Sequence, residues 1–179
     1  LIVNLTQKIP SMKTLIHSLC LLSLFTDPIN AFAKGSPGPP NAAKVFFKNP
    51  KQGDLKFNGA GVMHAAQFGL LLVAESGGSL VAIDTGHTGP FKPVKPFADF
   101  GAKVAGAVGT TADKITINDL KANPETGTLY VSVRRSDGLS TVLTLDHSVQ
   151  LAALDTTKLN WVRIKLSEEL RISRISAIG

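Results

Sequence analysis

Between residues 115 and 145, apolar and polar positions fall into three short runs divided by turn chemistry. Ile115, Ile117 and Leu120 open the first run. Asn123-Pro124-Glu125-Thr126-Gly127 closes it, with proline fixing φ and glycine supplying the positive φ that a tight reversal needs. Residues 129–133 form the second run, where β-branched and aromatic side chains alternate with small or polar ones, the mark of a half-buried strand. Ser136-Asp137-Gly138 is the next turn and residues 141–145 the third run. The pattern predicts a three-stranded antiparallel meander, which needs neighbours to bury its apolar face.

A second region repeats this plan. Residues 62–67 predict a strand and Phe68-Gly69 a tight link. Residues 70–74 are continuously apolar, Ser76-Gly77-Gly78-Ser79 is a hairpin signal, and residues 80–83 return as a strand before Asp84. The similarity between the two regions predicts a repeated β-unit, with a period longer than the ~40–50 residues of an ordinary propeller blade. Residues 86–114 account for the excess as an insertion, in which 98–108 place Phe100, Val104 and Val108 at helical spacing. The meander is expected to continue, with residues 149–154 as a fourth strand and 159–166 as another, Arg163 and Lys165 alternating outward. Val45-Phe46-Phe47 reads as an edge strand, residues 49–54 as a turn, and 167–179 as a tail of no clear period.

The N-terminal pattern is of another kind. Met12-Lys13-Thr14 precedes an apolar run of secretory-leader length, then a polar turn, then Ala31-Phe32-Ala33. This predicts a signal peptide over 12–33, cut after Ala33, and makes 1–11 an upstream extension. The apolar run is shorter than the ~20 residues that cross a bilayer as a helix. Residues 34–60 read as a Pro/Gly linker with an edge segment, and 61–166 as the folded β-region. The single cysteine, Cys20, falls in the leader, so the expected product is exported, secreted or periplasmic, without disulfides.

Composition adds little to this. With 179 residues, 44% apolar and 18% charged, the chain supports a buried core. The net charge of +6 comes from scattered lysines without a recognition motif, which argues against a nucleic-acid partner. There is no G-x-S-x-G elbow, no phosphate loop and no zinc-ligand spacing. His64, a candidate ligand-binding residue, lies in a strand whose register decides whether it faces core, channel or solvent. Arg134 and Arg135 stand together at a hairpin tip, where two guanidiniums suit an anionic ligand. Glu75 reads as an exposed hairpin carboxylate, His87 as a loop residue, His147 as a turn residue and Trp161 as core.

Residues 62–166, and above all Asp119-Leu120 with Asn123-Pro124, Thr126-Gly127 and Leu129-Tyr130-Val131-Ser132, resemble the N-terminal part of secreted bacterial β-propeller proteins of the NHL-like or YVTN-like type. The resemblance implies an all-β fold of antiparallel blades, about two of them, with a short helical insertion. Two blades do not close a ring, so a fragment of a longer propeller is expected. It implies a non-catalytic binding or scaffold module for a protein, polysaccharide or small-molecule ligand. The alternative is a divalent-cation-dependent hydrolase of the lactonase or gluconolactonase type. In that reading Asn118 and Asp119 are oxygen ligands of the kind that suits Ca²⁺.

Overall fold

A computed structural model describes residues 47–166, together with 176 and 178. The expected leader, the first part of the linker and nearly all of the tail lie outside the described residues. Among the described residues, nine strands form two antiparallel sheets, joined by an insertion that carries one α-helix. The all-β expectation with a helical insertion holds at that level.

Sheet 1 contains β1 (Lys51–Gln52), β2 (Ala60–Ala65), β3 (Leu70–Glu75), β4 (Ser79–Asp84) and β9 (Asn160–Lys165), in the order β1-β9-β4-β3-β2. Its two hairpins follow from turn chemistry. Phe68 and Gly69 both have positive φ, which matches the twist of the strands they join. Gly77 and Gly78 do the same between β3 and β4. Sheet 2 contains β5 (Ile115–Ala122), β6 (Leu129–Arg135), β7 (Ser140–Leu145) and β8 (Leu151–Ala153) in plain sequence order. Asn123 closes the β5–β6 turn, its side-chain oxygen accepting from the backbone N–H groups of Glu125 and Thr126. Gly127 sits there at φ 77°, and a Cβ on it would lie 2.6 Å from the Lys92 carbonyl oxygen.

Alternation along the strands sorts the side chains into layers. One face of sheet 1 carries Met63, Leu71, Val73, Val81, Ile83 and Trp161, all buried. They pack against Tyr130 and Val142 of sheet 2. The other face of sheet 2 presents Val131, Val133 and Leu143 to Val104 of α1 (Phe100–Ala107). That helix ends in a Schellman motif: Thr110 N–H donates to the Ala105 carbonyl and Gly109 N–H to that of Gly106, with Gly109 at positive φ. The opposite face of sheet 1 stays partly open, with Ile164 49% exposed.

Four expectations are corrected. Residues 159–166 do not extend the second meander. As β9 they run back to sheet 1 and pair with β4, Ile83 opposite Trp161. Residues 49–54 include a short strand as well as a turn, because β9 offers β1 a free edge. The fourth strand of sheet 2 spans only Leu151–Ala153, since Asp146 binds Ser148 in a side-chain turn and Val149 has positive φ. Of the expected edge strand, Phe47 is not in a strand, and Val45 and Phe46 lie outside the described residues.

Candidate functional site

Three of the sequence-derived candidates, Asn118, Asp119 and Arg134, lie at the seam between the two sheets. There β2 is the edge strand of sheet 1, and its outer backbone groups point at sheet 2 rather than at a further strand. An unpaired edge is costly unless covered. Side chains of sheet 2 cover it. The Asp119 carboxylate (Oδ2) accepts from Met63 N–H at 2.7 Å, and Asn118 Nδ2 donates to the Ala60 carbonyl at 2.8 Å. Ser132 Oγ donates to the Gly61 carbonyl at 2.6 Å, and Ser140 Oγ accepts from Ala60 N–H at 2.7 Å. Glu125 accepts from Phe68 N–H at the strand's far end. A β-bulge between Ile117 and Asp119 shifts the register of β5 and sets Asn118 and Asp119 against this edge.

Beside this seam lies a cleft of about 380 Å³, lined by the backbone of residues 59–62, by Glu75 to Gly77, and by Asn118 and Arg134. Asn118 and Arg134, proposed from sequence for different roles, therefore meet at one cleft. Arg134 is exposed there, whereas Arg135 points to the opposite face. Arg135 donates to the Val108 carbonyl at the end of α1 and pairs with Asp137 at 2.6 Å, so the two guanidiniums do not act together. Asp119 binds Leu120 N–H with its other oxygen and lies 3.8 Å from Lys121 Nζ. His64 sits half-exposed on β2, opposite Leu72, and does not line this cleft.

Glu75 departs from expectation. Its side chain is 1% exposed, not a solvated hairpin tip. Arg163 of β9 grips it through Nε at 2.8 Å and Nη2 at 3.1 Å, and Asn58 N–H adds a third bond. Arg163 also lies over the Trp161 ring. Arg163 shares its face of β9 with the buried Trp161 and, still 34% exposed, turns its head back onto Glu75 instead of into solvent. The cleft thus contains one carboxylate already matched by a cation, and one exposed guanidinium.

A second polar centre was not singled out from sequence. Tyr130 is buried, with its hydroxyl 3.1 Å from Thr85 Oγ1 and 2.9 Å from His87 Nδ1. The His87 ring stacks on that of Tyr130, 5.7 Å between centroids and 10° from parallel. Burial holds the His87 imidazole below its usual value. It pushes the Tyr130 phenol up, against the opposing effect of hydrogen bonds with Thr85 and Asn123. The sequence signal was weak: a tyrosine on the core face of its strand, and a histidine three residues past a strand end.

Among the described residues no group of three or more His, Cys, Asp or Glu side chains converges in a way that would hold a metal ion, and no helix is long and apolar enough to cross a membrane. Compared with known protein families, with curated proteins and with solved structures, the chain matches none.

Proposed function

We propose that this chain is a non-catalytic binding module of the exported β-propeller kind, and that its ligand site is the cleft between the inner edge of sheet 1 and the face of sheet 2. The observation that carries this reading is Arg134. It is exposed at a cleft whose other charged lining group, Glu75, is neutralised by Arg163. A lone guanidinium beside the Asn118 amide and open glycine backbone suits a small anionic ligand, a carboxylate above all. The walls are preformed, because the same side chains that cover β2 hold them in place. Asn118 and Asp119 act in this reading as braces of the cleft.

The test is a titration of the purified chain with a uronic acid, followed by NMR. Shifts confined to residues 59–62, Asn118 and Arg134, and abolished in Arg134→Ala, support the reading. A ligand that binds equally well to Arg134→Ala refutes it. The cation-dependent hydrolase is the competing reading. It predicts a Ca²⁺-dependent rise in thermal stability that Asp119→Asn removes, together with turnover of a lactone.

A further inference from the structure

The hydrogen bonds around Tyr130 fix where its neighbours carry their protons. Thr85 Oγ1 lies 2.7 Å from the Gly69 carbonyl oxygen, which can only accept, so the one hydroxyl proton of Thr85 points there. Thr85 is then an acceptor toward Tyr130, and the phenol donates to it. With its proton used, the phenol oxygen accepts from His87 Nδ1. His87 therefore carries a proton on Nδ1, and in the neutral ring Nε2 is left with a bare lone pair. The ring cannot easily turn away. It is stacked on Tyr130, and its backbone is pinned by Thr85 through His87 N–H and by Asn123 through the His87 carbonyl.

His87 lines a cleft of about 280 Å³ that shares no residue with the Arg134 cleft. A second imidazole, that of His147, lines it too, with the hydroxyl-bearing Thr126 and Thr128. We propose that His87 and His147 form a two-imidazole site for a divalent transition-metal ion of the zinc, nickel or copper class, with His87 Nε2, the ring nitrogen left without a proton, as its first ligand. A histidine whose other ring nitrogen donates to a protein oxygen is the arrangement metal-binding histidines adopt. No carboxylate lines the cleft, which offers hard cations such as Ca²⁺ no anionic ligand, while neutral nitrogen donors suit ions of borderline softness. Lys92 also lines the cleft, but it is exposed and its charge is screened by solvent. His147 is exposed on its turn and lines the same cleft as His87.

The test titrates the untagged chain with Cu²⁺, Ni²⁺ and Zn²⁺ salts by calorimetry. The nitrogen resonances of the imidazoles are read by NMR before and after addition. The expected result is a Nδ1–H tautomer for His87 in the free protein and one ion bound per chain, tightest for Cu²⁺. His87→Gln and His147→Gln should each weaken binding at least tenfold, and His64→Gln should leave it unchanged. Tyr130→Phe removes the oxygen that fixes the tautomer and should weaken binding about tenfold with His87 still present. Because His147 is exposed, His147→Gln will fold, so unchanged binding in that variant overturns the proposal. So does a Nε2–H tautomer in the free protein.

Discussion

The two sheets solve one problem in different ways. Sheet 2 is built from four strands consecutive in sequence, and α1, from the insertion just before it, covers its outer face. Sheet 1 pairs β2, β3 and β4 in sequence order, then takes β9 from beyond sheet 2, and β1 joins only on the far side of β9. One sheet closes through local contacts, the other through a chain reversal that spans the whole of its neighbour. Local pairings form at lower entropic cost than distant ones, so sheet 2 is the unit expected to order first and sheet 1 the one that depends on late closure. The distribution of anchors agrees with this. β9 is fastened by Trp161, whose indole donates to the Gly53 carbonyl at 2.7 Å, and by the Arg163–Glu75 pair.

Cutting that fastening should produce the largest effect. Trp161→Ala removes a buried aromatic and the indole bond together, a loss of about 3–5 kcal/mol for large-to-small changes of this kind. Hydrogen exchange should show sheet 1 losing protection while β5, β6 and β7 keep theirs. Equal loss in both sheets would show that they unfold as one unit, and the contrast between them would collapse. Arg163→Ala is the next step down. It leaves the Glu75 carboxylate buried without its partner, and removing one member of such a pair costs ~3 kcal/mol. Adding Glu75→Gln should recover part of that loss, since no charge then remains to be matched.

Smaller still is the effect at the seam. Asp119→Ala strips the acceptor from Met63 N–H, and an orphaned backbone donor costs about 1–3 kcal/mol. The loss should show as faster exchange at β2, not at β5, because β2 is the strand that depends on its neighbour's side chains. Were β5 to loosen instead, Asp119 would be serving its own strand and the seam would need another explanation.

How much of this was legible beforehand follows the same divide. The hairpin of β3 and β4, the meander of β5 to β7 and helix α1 were readable because each is set by local chemistry: the Gly77-Gly78 turn, the Asn123 to Gly127 turn, and Phe100, Val104 and Val108 at helical spacing. The alternation of residues 159–166 marked a strand but held nothing about which sheet would receive it. For the same reason the local pattern around Glu75 points to an exposed carboxylate. Its burial depends on Arg163, 88 residues away, and no local pattern announces such a pair. Asn118 and Asp119 stood out as polar residues in an apolar strand, which is as true of a brace for a neighbouring edge as of a ligand set. His87 carries no such local signal, because the features that give it a defined state, Thr85 and Tyr130, meet only once both sheets are in place.

That last point yields the smallest predicted effect and one with a definite sign. Burial lowers the His87 pKa in the folded chain from the ordinary value of 6.5 that it regains on unfolding. Between those two values the unfolded chain holds the proton and the folded chain does not. Stability should therefore fall as pH drops through 6.5, and the fall should level off once pH passes below the folded value. The neighbours do not reverse this: Tyr130 stays neutral across the range, and the exposed Lys92 opposes a second positive charge. The lowered pKa of Asp146, caused first by the Ser148 hydroxyl, acts in the carboxylate range well below and does not overlap. Denaturant melts from pH 8 to pH 5 should show a shallow slope that His87→Gln flattens. If the slope survives the substitution, the imidazole is not buried as described. If it vanishes, the slope belongs to the buried His87 imidazole, at the junction where the locally closed sheet meets the one that closes at long range.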